Sequence, residues 1–415
     1  MYDFFCKNKN IVDFVNSCEK ELYNCFSKID KINEYNQLKV LKAFIDNKVS
    51  ESDFQESTGY GYTDIGRDKI EKIYSDIFNA EDALVRQQIV SGTHAISLGL
   101  LSILRPNDNL LSISGLPYDT ILSTIGIHNE KGSLKDYNIS FNYVDLINNK
   151  FDVENIDKNI KDNTKLVLIQ RSRGYTDRDA ISVNEIESII NHIKNKYNNI
   201  FVMVDNCYGE FVNIKEPTDV GADLVCGSLI KNIGGGKALS GGYIVGKKEL
   251  IELCAYRLTA PGIGKEVGIS FNQNRNILQG LYDAPKVVSN SLKISNLFIY
   301  TLNKLGIKTI PGINSFNNDI VTAIILNDEN MLIKFCQIIQ KYSPVDSHLN
   351  LVPIEMPGYD NKVIMAAGSF VSGSSIELSC DAPIKEPYIA YLQGGLNYYQ
   401  GKLSLIKIIE EMNLL

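Results

Sequence analysis

The chain has 415 residues, enough for more than one domain and a large core. With 44% hydrophobic and 22% charged residues its composition is that of an ordinary globular protein, and a formal net charge of −7 argues against a nucleic-acid or anionic-membrane partner, either of which needs a basic face. No apolar run approaches the roughly 18 residues of a membrane span, and Met1-Tyr2-Asp3-Phe4-Phe5-Cys6-Lys7 opens no secretory leader, so a cytoplasmic location is expected.

Residues 1–58 set apolar positions at helical spacing among charges, as in Ile11-Val12-Asp13-Phe14-Val15, and predict an N-terminal helical arm that packs on a partner. Residues 59–284 then alternate strand and helix. Leu110–Ile113, Phe141–Val144, Leu166–Ile169, Phe201–Val204 and Asp223–Cys226 are the predicted strands. Before the fourth of them, Ser182 and Glu185 have capping-box spacing ahead of Ile186, Ile189, Ile190 and Ile193 on one helix face. This alternation predicts an α/β fold with a mostly parallel sheet covered by helices. Residues 285–415 turn to helix plus short strands, as in Val321-Thr322-Ala323-Ile324-Ile325-Leu326, and predict a smaller C-terminal α+β domain.

Three segments carry chemistry. In Ser228-Leu229-Ile230-Lys231-Asn232-Ile233-Gly234-Gly235-Gly236 a lysine stands between a hydroxyl and a run of bare backbone, and it reads as a Schiff-base lysine, the side chain whose pKa shifts readily enough to supply a free amine. Upstream, the buried-strand pattern Ile200-Phe201-Val202-Met203-Val204 ends in Asp205. A carboxylate there, facing a lysine, is what pyridoxal phosphate requires, because it keeps the pyridine ring an electron sink. Val90-Ser91-Gly92-Thr93-His94 runs from a small hydroxyl-bearing turn into an apolar helix, a phosphate seat in which Ser91, Gly92 and Thr93 offer backbone N–H groups at the positive end of a helix dipole. In this order the three fit the aspartate-aminotransferase-like type of pyridoxal phosphate enzyme.

The segments Gly59-Tyr60-Gly61-Tyr62-Thr63-Asp64-Ile65-Gly66-Arg67, Gln170-Arg171-Ser172-Arg173-Gly174-Tyr175, Arg257-Leu258-Thr259-Ala260-Pro261-Gly262-Ile263-Gly264 and Tyr391-Leu392-Gln393-Gly394-Gly395-Leu396 together resemble the methionine gamma-lyase-like proteins. These are also called aluminium-resistance or cystathionine beta-lyase-like proteins, a branch of the Cys/Met-metabolism pyridoxal phosphate enzymes. The resemblance runs from about residue 55 to residue 400 and implies fold type I, with residues 59–284 as the cofactor domain. It implies that Tyr118 stacks on the cofactor ring and shuttles a proton, an ordinary turn tyrosine being the competing reading. Ser228 is implied to bind the phosphate. Tyr60 and Tyr62 are implied to reach the neighbouring subunit's phosphate, in a homodimer or homotetramer with shared active sites; a flexible glycine loop is the alternative.

Arg171, Arg173 and Arg178 cluster after a strand end, where active-site loops emerge, and at least one is expected to face the substrate or the cofactor's 3′-oxygen; a surface salt bridge would suit any of them equally. Where the branch carries Asp-Gly-Pro-Ile-Arg-x-Pro-Tyr, this chain reads Asp381-Ala382-Pro383-Ile384-Lys385-Glu386-Pro387-Tyr388. Lys385 lacks the bidentate fork that grips a carboxylate, so a substrate contact there would alter affinity or choice.

Gly236-Lys237-Ala238 lacks the hydroxyl and the leading glycine of a nucleotide-binding P-loop, and histidines at 94, 128, 192 and 348 show no metal-ligand spacing, so no metal is expected. The eight cysteines form no C-x-x-C pair and predict free thiols. The resulting expectation is a pyridoxal phosphate-dependent carbon–sulfur lyase performing β- or γ-elimination on a sulfur-containing or similarly substituted amino acid. Replacement or transamination on the same cofactor, or a low-turnover regulatory paralogue, are the alternatives.

Overall fold

Short apolar stretches become a seven-stranded sheet in the computed structural model, which describes residues 2–313, 315–356 and 361–415. In chain order the strands are β1 (Asp82–Arg86), β2 (Asn109–Ser112), β3 (Ser140–Tyr143), β4 (Thr164–Gln170), β5 (Phe201–Asp205), β6 (Leu224–Ser228) and β7 (Gly242–Gly246). They lie side by side as β1-β7-β6-β5-β4-β2-β3. The neighbours from β6 to β3 are all parallel, and β7 runs antiparallel to both β1 and β6. Leu166 to Ile169 of β4 are at most 1% exposed, as a parallel strand covered on both faces by helices must be.

The five predicted strands each fall on an observed one, displaced by no more than a residue or two at the ends. β1 and β7 escaped the sequence reading because β1 is bounded by charges and β7 begins and ends in glycine. The predicted capping box holds: Glu185 N–H donates to Ser182 Oγ at 3.2 Å, and Ser182 N–H donates back to Glu185 Oε2 at 2.9 Å. The helix it starts, Val183–Lys196, buries Ile186, Ile189, Ile190 and Ile193 against the sheet.

A second, wholly antiparallel sheet comprises β8 (Thr309–Ile310), β9 (Val321–Ile325), β10 (Val363–Ala366), β11 (Ser379–Pro383) and β12 (Ile389–Gln393), in the order β10-β11-β12-β9-β8. The helices Glu329–Lys341 and Tyr398–Glu411 share a buried apolar cluster with it, in which Leu332, Phe335 and Leu405 meet Ile324, Cys380 and Leu392.

The N-terminal residues form the helices Lys9–Glu21 and Tyr23–Asp46, but their apolar stripe is not kept for a partner. Ile11, Val15 and Cys18 are buried with Phe298 and Leu405 of the same chain, and Asn36 Nδ2 donates to the carbonyls of Phe211 and Asn213 at 3.1 and 3.0 Å. The expectation of an arm packed on another subunit is therefore corrected for this face. The long helix Asn274–Lys304 offers a closer apolar surface. No helix among the described residues is long and apolar enough to cross a membrane.

That long helix also clamps the loop after β6. At Gly280, in the helix interior, an added Cβ would lie 2.2 Å from the Gly234 carbonyl oxygen, a contact that no real Cβ makes. Helix propensity alone favours alanine there by about 1 kcal/mol. Overpacking against a backbone carbonyl costs about 1–3 kcal/mol, so the clash wins. Gly280→Ala is expected to lower the thermal midpoint in a denaturation scan; a raised midpoint would show that the helix and loop are not in this contact.

Candidate active site

The carboxyl ends of three adjacent parallel strands, β4, β5 and β6, present Gln170, Asp205 and Ser228 side by side, the edge where α/β sheets hold ligands. The helix Gly92–Ile103 starts beside them, capped by Ser91, whose Oγ accepts from His94 N–H at 3.0 Å. A Cβ on Gly92 would come within 3.3 Å of Cys207 Sγ and Ser228 Cβ, so this turn lies with its bare backbone against the strand ends. Ser91, Gly92, Thr93, Tyr118, Asp205, Ser228 and Lys231 all line one cavity of about 380 Å³.

Tyr118 is held there through its backbone, its N–H donating to Gln170 Oε1 at 2.6 Å. Its ring stands 5.6 Å from that of Tyr175, which stands 5.0 Å from Tyr391, so three tyrosines form one wall. Gly174 makes room for them: it adopts φ +58°, and a Cβ would lie 3.2 Å from Tyr118 Cδ2.

Lys231 opens into the cavity with its Nζ 3.9 Å from the centre of the Tyr208 ring. Burial by itself lowers its pKa, but the acidic groups around it, Cys207, Tyr208, Asp205 and Glu210, outweigh that and hold it raised. Cys207 and Tyr208 are themselves pushed up by burial and carry no charge at neutral pH. Glu210, buried and pushed up to about 8, is mostly protonated at pH 7. The remaining neighbour is the Asp205 carboxyl. Its own pKa is raised by burial and pulled back by Lys231, while its Oδ1 accepts from Cys207 N–H at 3.1 Å.

The other predicted residues lie elsewhere. Arg171 is fully buried beneath the site, its Nη1 donating to Asn206 Oδ1 and to the Gly209 carbonyl at 2.8 Å each, with Glu216 Oε2 at 3.9 Å. Arg173 is also buried, with Nη2 3.9 Å from Asp179, and Arg178 donates to the carbonyls of Gln170 and Ser172. None of the three lines the cavity. Lys385 is exposed in the turn between β11 and β12, at the end of those strands away from Ser379 and Gln393, which do line it. Tyr60 and Tyr62 are 72% and 61% exposed and do not reach this chain's own cavity.

The sequence reading missed Cys207, Tyr208, Tyr175, Asp381, Tyr391 and Gln393 as cavity residues. Tyr175, Asp381, Tyr391 and Gln393 stood in segments compared with known proteins and were read there only as family markers.

A mostly parallel α/β sheet with a lysine, a carboxylate and a helix N-terminus at its carboxyl edge is the architecture of the fold type I pyridoxal phosphate enzymes. The same fold occurs in the pyridoxal-5′-phosphate-dependent protein YhfS of Escherichia coli, 17% identical with a TM-score of 0.62, over 92% of this chain and 96% of that one. The chain belongs to the methionine gamma-lyase family, whose description matches residues 11–413. It is similar to a candidate cystathionine beta-lyase involved in aluminium resistance from Listeria monocytogenes, with 45% identity and a TM-score of 0.94 over 96% of this chain and 99% of that one. A carbon–sulfur lyase involved in aluminium resistance from Clostridium novyi is 45% identical with a TM-score of 0.93, over 98% of this chain and 96% of that one. The uncharacterised protein YnbB of Bacillus subtilis is 45% identical over 415 residues, 99% of each chain.

Family and neighbours imply pyridoxal phosphate, and the donor set fits it. First-turn N–H groups, which lack intrahelical acceptors, the hydroxyls of Thr93 and Ser228, the Asp205 carboxyl and the Lys231 primary amine all line the one cavity.

The placement of the basic residues yields a prediction. Arg171→Ala leaves the buried Asn206 Oδ1 and Gly209 carbonyl without their donor and weakens the positive field on Glu216, which Lys39 still supplies in part, and is expected to lose about 1–3 kcal/mol of stability. Exposed Lys385→Ala is expected to shift stability by less than about 0.5 kcal/mol and to leave KM unchanged. Chemical denaturation and steady-state kinetics measure both, and a large rise in KM for Lys385→Ala would restore that residue to the substrate.

Proposed function

We propose that this protein is a pyridoxal phosphate-dependent carbon–sulfur lyase that eliminates a thiol from the β- or γ-carbon of a sulfur-containing amino acid. The observation that supports this most is the convergence of the Gly92 helix start, Ser228, Asp205 and Lys231 on one cavity. The lyase names of the family and of the similar structures agree with it.

When bound, the cofactor supplies an electron sink that lets the substrate's α-carbon hold negative charge. The protein's part is distributed. N–H groups of Gly92 and Thr93 and the hydroxyls of Thr93 and Ser228 hold the phosphate, with Ser91 fixing the turn. Asp205 holds positive charge at the ring nitrogen. Lys231 Nζ takes the proton from the α-carbon and returns one to the leaving sulfur, with the Tyr118 phenol assisting, and departure from the γ-carbon needs a β-carbon proton moved as well. Tyr118, Tyr175 and Tyr391 exclude water from the reacting face.

In this reading residues 1–58 are an arm, 59–284 the cofactor domain and 285–415 a smaller domain that closes the cavity. The protein works in the cytoplasm as a homodimer or homotetramer, and Tyr60 and Tyr62 serve the neighbouring subunit's site. Their exposure, together with that of Tyr35, Leu38 and Ile45 on the second arm helix, supports an interface there.

Purified protein incubated with cysteine, cystathionine, methionine and homocysteine is expected to release sulfide or a thiol, together with ammonia and either pyruvate from β-elimination or 2-oxobutyrate from γ-elimination. Cofactor-loaded protein that yields neither keto acid from any of them would contradict the reading. Asp205→Ala is expected to lower turnover by at least about 100-fold while cofactor absorbance persists, since the phosphate seat is independent of the ring nitrogen.

A further inference from the structure

Two carboxylates face the cavity from opposite sheets, and the lyase reading uses only Asp205. The second, Asp381 on β11, sits across from Tyr391 on β12 and Met365 on β10. Its Oδ2 accepts from Gln393 Nε2 at 2.9 Å, and Tyr175 also hydrogen-bonds to it. Both partners are neutral. The cation whose field reaches it is Lys231, and among the described lining residues Lys231 is the sole lysine or arginine.

Once Lys231 is engaged in catalysis, Asp381 is left as an enclosed charge with neutral donors and tyrosine rings. Such a charge is costly until a cation meets it. Tyrosine faces also attract cations, and Tyr391 lies directly across from Asp381. Burial pushes the Asp381 pKa up to about 6, which leaves most of the carboxyl ionised at pH 7.

We infer that Asp381, Gln393 and the Tyr391 ring form a subsite for a protonated amine at the far end of the substrate's leaving group, so that the preferred substrates are cysteines or homocysteines whose sulfur carries an aminoalkyl chain. A neutral alkyl chain leaves the carboxylate unmet, and an anionic one is repelled. This inference rests on the lyase reading of the same cavity.

Three compounds of similar size test it: S-(2-aminoethyl)-L-cysteine, S-propyl-L-cysteine and S-carboxymethyl-L-cysteine, or their homocysteine counterparts if elimination is γ. The aminoethyl compound is expected to exceed the propyl compound in kcat/KM by about 10- to 100-fold, the worth of one charge-assisted hydrogen bond. The carboxymethyl compound is expected to be the poorest. Asp381→Asn is expected to bring the aminoethyl-to-propyl ratio close to one. Calorimetric binding of the same compounds to Lys231→Ala protein reads recognition without turnover. Tighter binding of the aminoethyl compound without keto acid from wild-type protein would uphold the subsite and overturn the lyase reading. Equal kcat/KM and equal affinity across the three would uphold the lyase and overturn the subsite, as would an aminoethyl preference that survives Asp381→Asn.

Discussion

A lysine ammonium sharing an enclosed cavity with a carboxyl at the carboxyl edge of a parallel sheet is the constraint around which this molecule is arranged. Taking Lys231 and Asp205 out of water is expensive unless each finds the other and the remaining donors and acceptors are matched. Asp205 is therefore fixed as the last residue of β5 and by the Cys207 N–H, and Lys231 by a loop pinned between β6 and the glycine-bearing stretch of the long helix. Beneath them a further buried polar layer, Arg171 and Glu216 bridged by Asn206, holds the loop after β5 in place. Tyr208 and Phe211 in that loop both take positive φ, backbone that costs energy and persists only where surrounding contacts impose it.

The two sheets divide the work. The larger one brings together groups that any reaction on the proposed cofactor would need: an anion seat, a carboxylate, an amine. The antiparallel one contributes Ser379, Asp381, Tyr391 and Gln393 from two hydrogen-bonded strands, none of which belongs to that set. Substitutions on β11 and β12 can reshape what enters the cavity while β5, β6 and the Gly92 turn stay untouched. Fold type I membership therefore leaves open which amino acid a given member takes.

What could be read in the sequence followed from local causes. Buried parallel strands announce themselves as apolar runs, a capping box spaces Ser182 from Glu185, and a strand-end Asp followed by a Ser-x-x-Lys segment is legible because both sit on the chain's own punctuation. What failed depended on three-dimensional closure. Arg171 and Arg173 looked like substrate ligands because they follow a strand end, yet the chain turns them inward, and nothing in their spacing reveals the direction. Lys385 stood out by departing from a pattern, while its distance from the cavity is set by strand length. Asp381 and Gln393 became neighbours only through the β11–β12 pairing, a register that no linear motif encodes. The arm's apolar stripe was read correctly as needing a cover, but not as finding it on its own chain.

The central claim is that Lys231 is the residue to which the cofactor is joined. Protein purified with pyridoxal phosphate, reduced with borohydride and digested, should give one peptide whose mass is raised by the reduced cofactor, with fragmentation placing the added mass on Lys231. Finding it on Lys237 or Lys265, or on no lysine at all in protein that retains the cofactor's absorbance before reduction, would contradict the account.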